Sequence, residues 1–457
     1  MSQIISINPS TGTKIWSIEN TSKVDIIKII KQSWDVQKSW GKLSVFDRKI
    51  ILSEVYKLFL TKKEQLAESI SREMGMPISQ ARDEVDYWYM YFEGYLKICE
   101  DALSPEITKE NSRELHTVFY EPKWVVLAIA PWNYPFSMCI WTSIQALLAG
   151  NTVVFKTSKE VILTGKLIAD IFAESTLPHW VFQEIYGSGE IGDFLIEQEI
   201  DMISFTWSTE VWRHIYSTAA QKLIPCVMEL GGSAPGIVCE DADIDKILET
   251  IYFLRFSNAG QMCDGLKRLI IHESRYQELI SKLSKFLANI KVGDAIQETT
   301  DIWPMVSLKQ REIAVLQIED ALKKWASILA KVPFDFDAQG AYIEPLLLGD
   351  ITKDMKVWTE EVFAPILPVV TFSTIEEAIE LGNDTQYGLG GYIFTEDNEN
   401  FRFIAAELKT WGVQHNTLNY CIPENPFWWY KFSWIWREHG SWGFHEFCNI
   451  KVTSEMK

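Results

Sequence analysis

The feature that most constrains this chain is a pair of short, almost uninterrupted apolar runs. They are Trp124-Val125-Val126-Leu127-Ala128-Ile129-Ala130 and Asn151-Thr152-Val153-Val154-Phe155-Lys156, separated by one helix-length segment, Phe136 to Ala149. A strand with no polar alternation has to be covered on both faces, which is the condition inside a parallel sheet. The pattern continues: helical Gly165 to Glu174 leads into strand-like Val181 to Tyr186, and Asp201 to Thr206 follows. Strands alternating with crossover helices predict an α/β fold. Upstream, Val24 to Trp40, Val45 to Glu73 and Ile78 to Cys99 carry apolar residues at helical spacing, broken at Gly75-Met76-Pro77. They predict helices that cover the sheet.

After Gly231-Gly232 a second alternating segment begins, which places a domain boundary near residue 230. Leu115 to Glu121 and Phe447 to Val452 alternate like exposed strands, either of which can pair with another subunit at a sheet edge. A chain of 457 residues is too long for one core and suits two or three domains. The expected partition is 1–102 with 124–230 as one domain, 231–430 as a second, and 103–123 with 442–457 as exposed strands.

The formal net charge of −19 argues against nucleic acid and anionic lipid as partners, leaving a small molecule. No apolar stretch is long enough to span a membrane and the N-terminus has no secretory pattern, so a cytoplasmic protein is expected. Seven cysteines at irregular spacing read as reduced thiols, and no Cys-x-x-Cys or His-x-x-x-His spacing points to a metal.

Three residues stand out for chemistry. Cys263 ends Asn258-Ala259-Gly260-Gln261-Met262-Cys263, a polar turn after a helix, where a thiol can meet substrate. The plainer reading of any lone cysteine is a buried structural one, which suits Cys139, Cys226 and Cys239. Glu229 sits in apolar Val227-Met228-Glu229-Leu230, where burial raises a carboxyl pKa and makes a base, or where a satisfied structural carboxylate would sit equally well. Asn133, in Pro131-Trp132-Asn133-Tyr134-Pro135, closes a strand and offers an amide to an oxyanion, or is an ordinary turn asparagine.

Taken together, Pro131 to Pro135, Gly150 to Lys156, Glu229-Leu230-Gly231-Gly232, Gly260 to Cys263 and Glu360-Glu361-Val362-Phe363-Ala364-Pro365 occur in the order and spacing of the aldehyde dehydrogenases. The chain resembles that superfamily over essentially its whole length. The resemblance implies a Rossmann-like cofactor domain, an α/β catalytic domain and a small β oligomerisation element. It makes Cys263 the nucleophile, Asn133 with the Cys263 backbone N–H the oxyanion site, and Glu229 the base that activates water against the thioester. It implies cofactor contacts from Lys156, Ser158, Lys159, Ser208, Glu361, Phe363 and Trp132, and a homodimer or homotetramer.

Gly187-Ser188-Gly189-Glu190-Ile191-Gly192 matches the dinucleotide glycine pattern literally, but no acidic residue follows about 20 residues on. A tight turn near the adenine is an equal reading. NAD-preferring members commonly carry a glutamate where this chain has Lys159; a cation beside Ser158 favours NADP over NAD.

Within the family, Ile5 to Gly12, Arg72 to Val85 and Phe444 to Lys451 resemble bacterial succinate-semialdehyde dehydrogenases, so succinate semialdehyde is the expected substrate, with another aliphatic or amino aldehyde as the alternative. A distal carboxylate needs a cation in the entrance. Trp141 stands where many such enzymes place arginine, which leaves Arg255, for which a structural salt bridge is the plainer reading. Asp264, directly after the nucleophile, is expected to raise the thiol pKa if it faces it.

The chain holds 19 tryptophans, and 11 fall where the family usually has glycine: Trp124, Trp180, Trp207, Trp212, Trp303, Trp325, Trp411, Trp428, Trp429, Trp434 and Trp436. Glycine in such turns permits positive φ or close backbone approach, and an indole permits neither. The expectation is that these are UGA codons, read as glycine in the source organism and rendered as tryptophan in the translated sequence. Tryptophans truly present there would instead point to a catalytically silent protein that keeps the fold.

Overall fold

Both leading apolar runs form strands, Val125–Ile129 and Thr152–Lys156, paired in parallel with Val125 opposite Thr152. Their side chains divide between two cores. Val126, Ala128, Val153 and Phe155 face one layer, and Val125, Leu127, Ile129 and Val154 face the other. Burial on both faces is the reason these strands carry no polar alternation. The computed structural model describes residues 3–206, 209–332, 340–418, 421–428 and 430–457.

The sheet built on this pair runs in the order Trp434–Ile435, Cys226–Glu229, Met202–Thr206, Val125–Ile129, Thr152–Lys156, Phe182–Ile185. All neighbours are parallel except the first. The chain order reverses between Val125–Ile129 and Met202–Thr206, and such a switch point opens a crevice at the carboxyl ends of the strands. Across Leu230 to Ser233 the chain enters a second sheet of seven strands, ordered Ser327–Lys331, Leu346–Gly349, Ile366–Phe372, Leu266–His272, Ala234–Val238, Gly390–Phe394, Gly412–His415. Only the Ser327–Lys331 edge strand is antiparallel there.

Two buried glutamates tie the amino-terminal helices to the first sheet. Glu84, on the helix Ile78–Ala102, accepts from the backbone N–H of Phe136 and of Ser137, both at 3.1 Å, and from the Ser137 hydroxyl at 3.0 Å. It thereby caps the helix Pro135–Leu148, whose own N-cap residue makes no side-chain bond. Glu73, on the helix Lys63–Met74, does the same for Ile162–Glu174, accepting from Leu163 N–H at 2.8 Å and from Thr164 N–H at 2.7 Å. A side-chain cap contributes on the order of 1 kcal/mol, and these come from another segment of the chain. Burial pushes the Glu84 carboxyl up to about 7.

Two expectations change. The single helix from Val45 to Glu73 is two, Val45–Thr61 and Lys63–Met74, because Lys62 leaves helical geometry at φ −105°, ψ 9°. The strand near residue 115, Glu114–Pro122, is no sheet edge: it lies between Cys448–Met456 and Glu106–Glu110 and is antiparallel to both. The edges of this small sheet are those two strands, and Ile107, Ile450, Val452 and Met456 on them are exposed.

Four of the eleven suspect tryptophans adopt left-handed backbone: Trp124 at φ 115°, Trp180 at 76°, Trp325 at 74° and Trp436 at 78°. An L-residue there is strained by about 1–2 kcal/mol. Trp303 and Trp212 each bury an indole N–H with no acceptor. Trp34, Trp40, Trp141 and Trp358, at positions where tryptophan is unremarkable, all donate to an oxygen: Glu199, Leu147, Glu438 and Asp384 in turn. Trp207 and Trp429 lie outside the described residues.

Candidate active site

Cys263 is delivered by a strained turn. The helix Ile244–Phe256 ends at Ser257, and the next three residues are left-handed: Asn258 at φ 51°, Ala259 at 49° and Gly260 at 72°. Consecutive left-handed residues persist only where surroundings force them. A Cβ on Gly260 would stand 2.4 Å from the Ala364 carbonyl oxygen, so this position admits only glycine. The turn is held by amides. Asn258 Nδ2 donates to the Asn133 carbonyl at 2.8 Å, Asn133 Nδ2 donates to the Gln261 carbonyl at 3.1 Å, and Gln261 Nε2 donates to the Asn258 carbonyl at 3.0 Å. Asn133 and Cys263, 130 positions apart in sequence, therefore sit on one network. The thiol is half-buried, and its apolar surroundings and Asp264 push its pKa up while Lys267 pulls it down.

Glu229 ends its strand at the same place and is buried. Burial raises its carboxyl well above the ordinary range, and the Glu438 carboxylate beside it raises it further, with smaller contributions from Cys263 and Asp264. Glu438 is itself buried and accepts from the Trp141 indole N–H. His439, next in the chain, pairs its Nδ1 with the Tyr95 hydroxyl, and burial drops its pKa to about 3, so it is neutral.

Around Trp141 the wall is aromatic. Its ring lies 4.6 Å from Phe427, 5.2 Å from Trp88 and 4.2 Å from His439, and Trp411 packs on Phe427 at 4.6 Å. Arg255 is no part of this wall. It is fully buried, and its two terminal guanidinium nitrogens donate to the carbonyls of Leu266, Val362 and Ala364 beside the second sheet, while its Nε is buried without an acceptor.

At the end of the strand Thr152–Lys156 in the first sheet, Lys156 is buried with Nζ donating to the Thr157 carbonyl at 3.3 Å, and burial lowers its pKa to about 8. Ser158 is buried, and its hydroxyl accepts from Glu160 N–H. Lys159 is exposed, 3.6 Å from Glu160. Ser208 lies outside the described residues. A Cβ built on Gly192 would lie 3.7 Å from Lys156 Cε, and one on Gly189 would meet nothing within 4 Å, so the turn is open at Gly189. Trp132 meets Phe363 edge-on at 5.7 Å. Glu361 accepts from Gly232 N–H at 3.1 Å and pairs with Lys267 at 2.8 Å. Sequence reasoning missed two of these groups. Glu438 is hidden among the tryptophans of the C-terminal segment, whereas Lys267, a lysine opening the apolar strand Leu266–His272, was a visible signal.

Residues 1–453 match the aldehyde dehydrogenase family. The chain is 34% identical over 461 residues to aminoaldehyde dehydrogenase 1, peroxisomal, of Pisum sativum, covering 98% of this chain and 92% of that one. It is 33% identical over 458 residues to the chloroplastic betaine aldehyde dehydrogenase of Amaranthus hypochondriacus, covering 97% and 91%. An NADP-dependent enzyme of E. coli superposes with a TM-score of 0.96 at 27% identity, over 100% of this chain and 95% of that one. The chain belongs to the aldehyde dehydrogenase family, whose members oxidise aldehydes with NAD or NADP. These relatives are named for amino and betaine aldehydes, so they support the family and the alternative substrate class without supporting the expected succinate-semialdehyde subtype. Among the described residues no helix is long and apolar enough to cross a membrane.

Proposed function

We propose that this protein oxidises an aldehyde bearing a cationic amine or ammonium tail to the corresponding acid, with NADP preferred to NAD. One observation carries the substrate class. The wall of Trp88, Trp141 and Phe427 stands beside two buried carboxyls, Glu229 and Glu438, while Arg255, the cation that a carboxylated tail would need, is engaged in the core. Aromatic faces and carboxylates attract a desolvated ammonium and repel a distal carboxylate.

Cys263 attacks the aldehyde carbon, and the developing oxyanion takes hydrogen bonds from the Cys263 backbone N–H and from Asn133 Nδ2, whose second N–H remains after the bond to Gln261. The residues along the crevice fit a dinucleotide: Lys156 below Gly192, open space before Gly189, and Glu361 and Phe363 past Gly231. When bound, the dinucleotide supplies the hydride acceptor. Glu229 then takes a proton from water, which attacks the thioester, and Cys263 leaves as the acid forms. Lys159 supports the NADP preference, since its exposed pair with Glu160 is worth less than about 1 kcal/mol and yields readily to a 2′-phosphate. The enzyme is expected in the cytoplasm as a homo-oligomer joined along the edge strand Cys448–Met456.

The test is reduction of NADP and of NAD by protein carrying glycine at the eleven positions, with betaine aldehyde, an ω-aminoaldehyde and succinate semialdehyde, against a Cys263→Ala control. Higher kcat/KM for the cationic aldehydes supports the reading. Preference for succinate semialdehyde overturns the substrate class, and turnover that survives Cys263→Ala overturns the mechanism.

A further inference from the structure

The residue four places after Cys263 is a lysine whose side chain is only 1% exposed. Its ammonium stands 2.8 Å from Glu361 Oε1 and 4.8 Å from the centroid of the Phe363 ring. The same carboxylate oxygen accepts from Gly232 N–H. Gly232 in turn presses on the nucleophile's backbone, since a Cβ there would lie 2.4 Å from the Cys263 carbonyl oxygen. Cys263, Gly232, Glu361 and Lys267 thus form one contiguous unit. A buried ammonium carries a large desolvation penalty and persists where a partner holds it. An apolar side chain would fill the place above Phe363 without that penalty.

We propose that Lys267 is a positioning residue that keeps a positive charge within reach of the Cys263 thiolate, and that Glu361 sets how much of that charge the sulfur feels. The proposal rests on the reading of Cys263 as nucleophile. Asp264 and Glu361 hinder ionisation of the thiol, and Glu229, Tyr134 and Tyr392 each feel the charge of the sulfur in turn. Against these stands Lys267, which itself faces Glu361, Arg255 and Cys263. Removing the cation and removing its partner should therefore move the thiol's ionisation in opposite directions, an outcome that a purely structural ion pair does not give.

The experiment is the pH dependence of Cys263 alkylation by iodoacetamide in cofactor-free protein, with the modified peptide identified by mass spectrometry. Lys267→Met moves the midpoint to higher pH, so that below the midpoint Cys263 reacts about tenfold more slowly, the effect of one pKa unit. Glu361→Gln moves it to lower pH, and Lys267→Arg keeps the parent profile. Profiles of Lys267→Met and Glu361→Gln that coincide with the parent, or that shift in the same direction, overturn the proposal. If Lys267→Met fails to fold, Glu361→Gln, which keeps the cation, decides alone: no acid shift overturns it. Absence of aldehyde turnover in the parent would count against Cys263 as nucleophile and leave these profiles to judge Lys267.

Discussion

The indole N–H of Trp141 donates to the carboxylate of Glu438, and that carboxylate lies beside Glu229. The aromatic wall around Trp141 and the proposed base are therefore joined through one side chain. Replacing Glu438 with Gln keeps an acceptor for Trp141 and removes a charge that raises Glu229. A carboxyl raised by a neighbouring negative charge ionises at lower pH once that charge is gone. The alkaline-rising limb of the kcat–pH profile should move to lower pH in Glu438→Gln, and an unmoved limb would show that Glu438 does not tune the base.

Asn133 is tied to the Cys263 turn through Gln261 and Asn258. Asn133→Ala should lower kcat by about 10²–10³-fold, the cost of removing one oxyanion donor, with KM little changed. Steady-state kinetics on the preferred aldehyde would check this.

Arg255 donates to three carbonyls beside the second sheet. Arg255→Met removes these donors, leaving the Ala364 carbonyl only its bond from Ile366 N–H, and each buried group left unsatisfied costs about 1–3 kcal/mol. A fall in thermal midpoint is expected, with the ratio of kcat/KM between cationic and carboxylated aldehydes preserved. A selective loss on carboxylated aldehydes would return Arg255 to the substrate site.

Glu184 is buried, and burial raises its carboxyl well above 4.5, with the Tyr186 hydroxyl beside it pulling weakly the other way. The folded state therefore keeps a proton that the unfolded chain releases as pH passes 4.5. Stability is lost as pH rises from there to the folded pKa and is not recovered above it. Glu184→Gln should melt higher than the parent at about pH 8, and the gap should close toward about pH 4. A pH-independent difference would mean that the cause is packing.

Trp124, Trp180, Trp325 and Trp436 occupy left-handed backbone. Glycine at each should add about 1 kcal/mol, the strain relieved less glycine's own entropic cost. Thermal melts of the single variants measure this. Peptide mass spectrometry of the protein from its source organism should read glycine at these positions, and tryptophan there would remove the codon explanation.

The strands at 125–129 and 152–156 were legible because double-faced burial writes itself into every residue of a strand. The return of Trp434–Ile435 to the first sheet was not, since antiparallel pairing with Cys226–Glu229 spans some 200 residues and leaves no local pattern. Cys263, Glu229 and Asn133 were singled out by residue type and spacing, and the hydrogen bonds that tie Asn133 to the Cys263 turn bring two of them together. The left-handed backbone at Asn258 and Ala259 was not legible, because tertiary hydrogen bonds impose it against local preference. Arg255 was misplaced for a related reason: charge suggests an entrance, while three buried carbonyls can hold a guanidinium equally well.

Glu73 and Glu84 leave the ribosome some fifty to ninety residues ahead of the amides they cap, at Phe136, Ser137, Leu163 and Thr164. The amino-terminal helices are thus a waiting half of the first sheet's layer and not a separable lobe. A fragment begun after residue 102 would bring two helix ends into the core bare, and adding the missing segment as a separate peptide should be what lets that fragment consolidate.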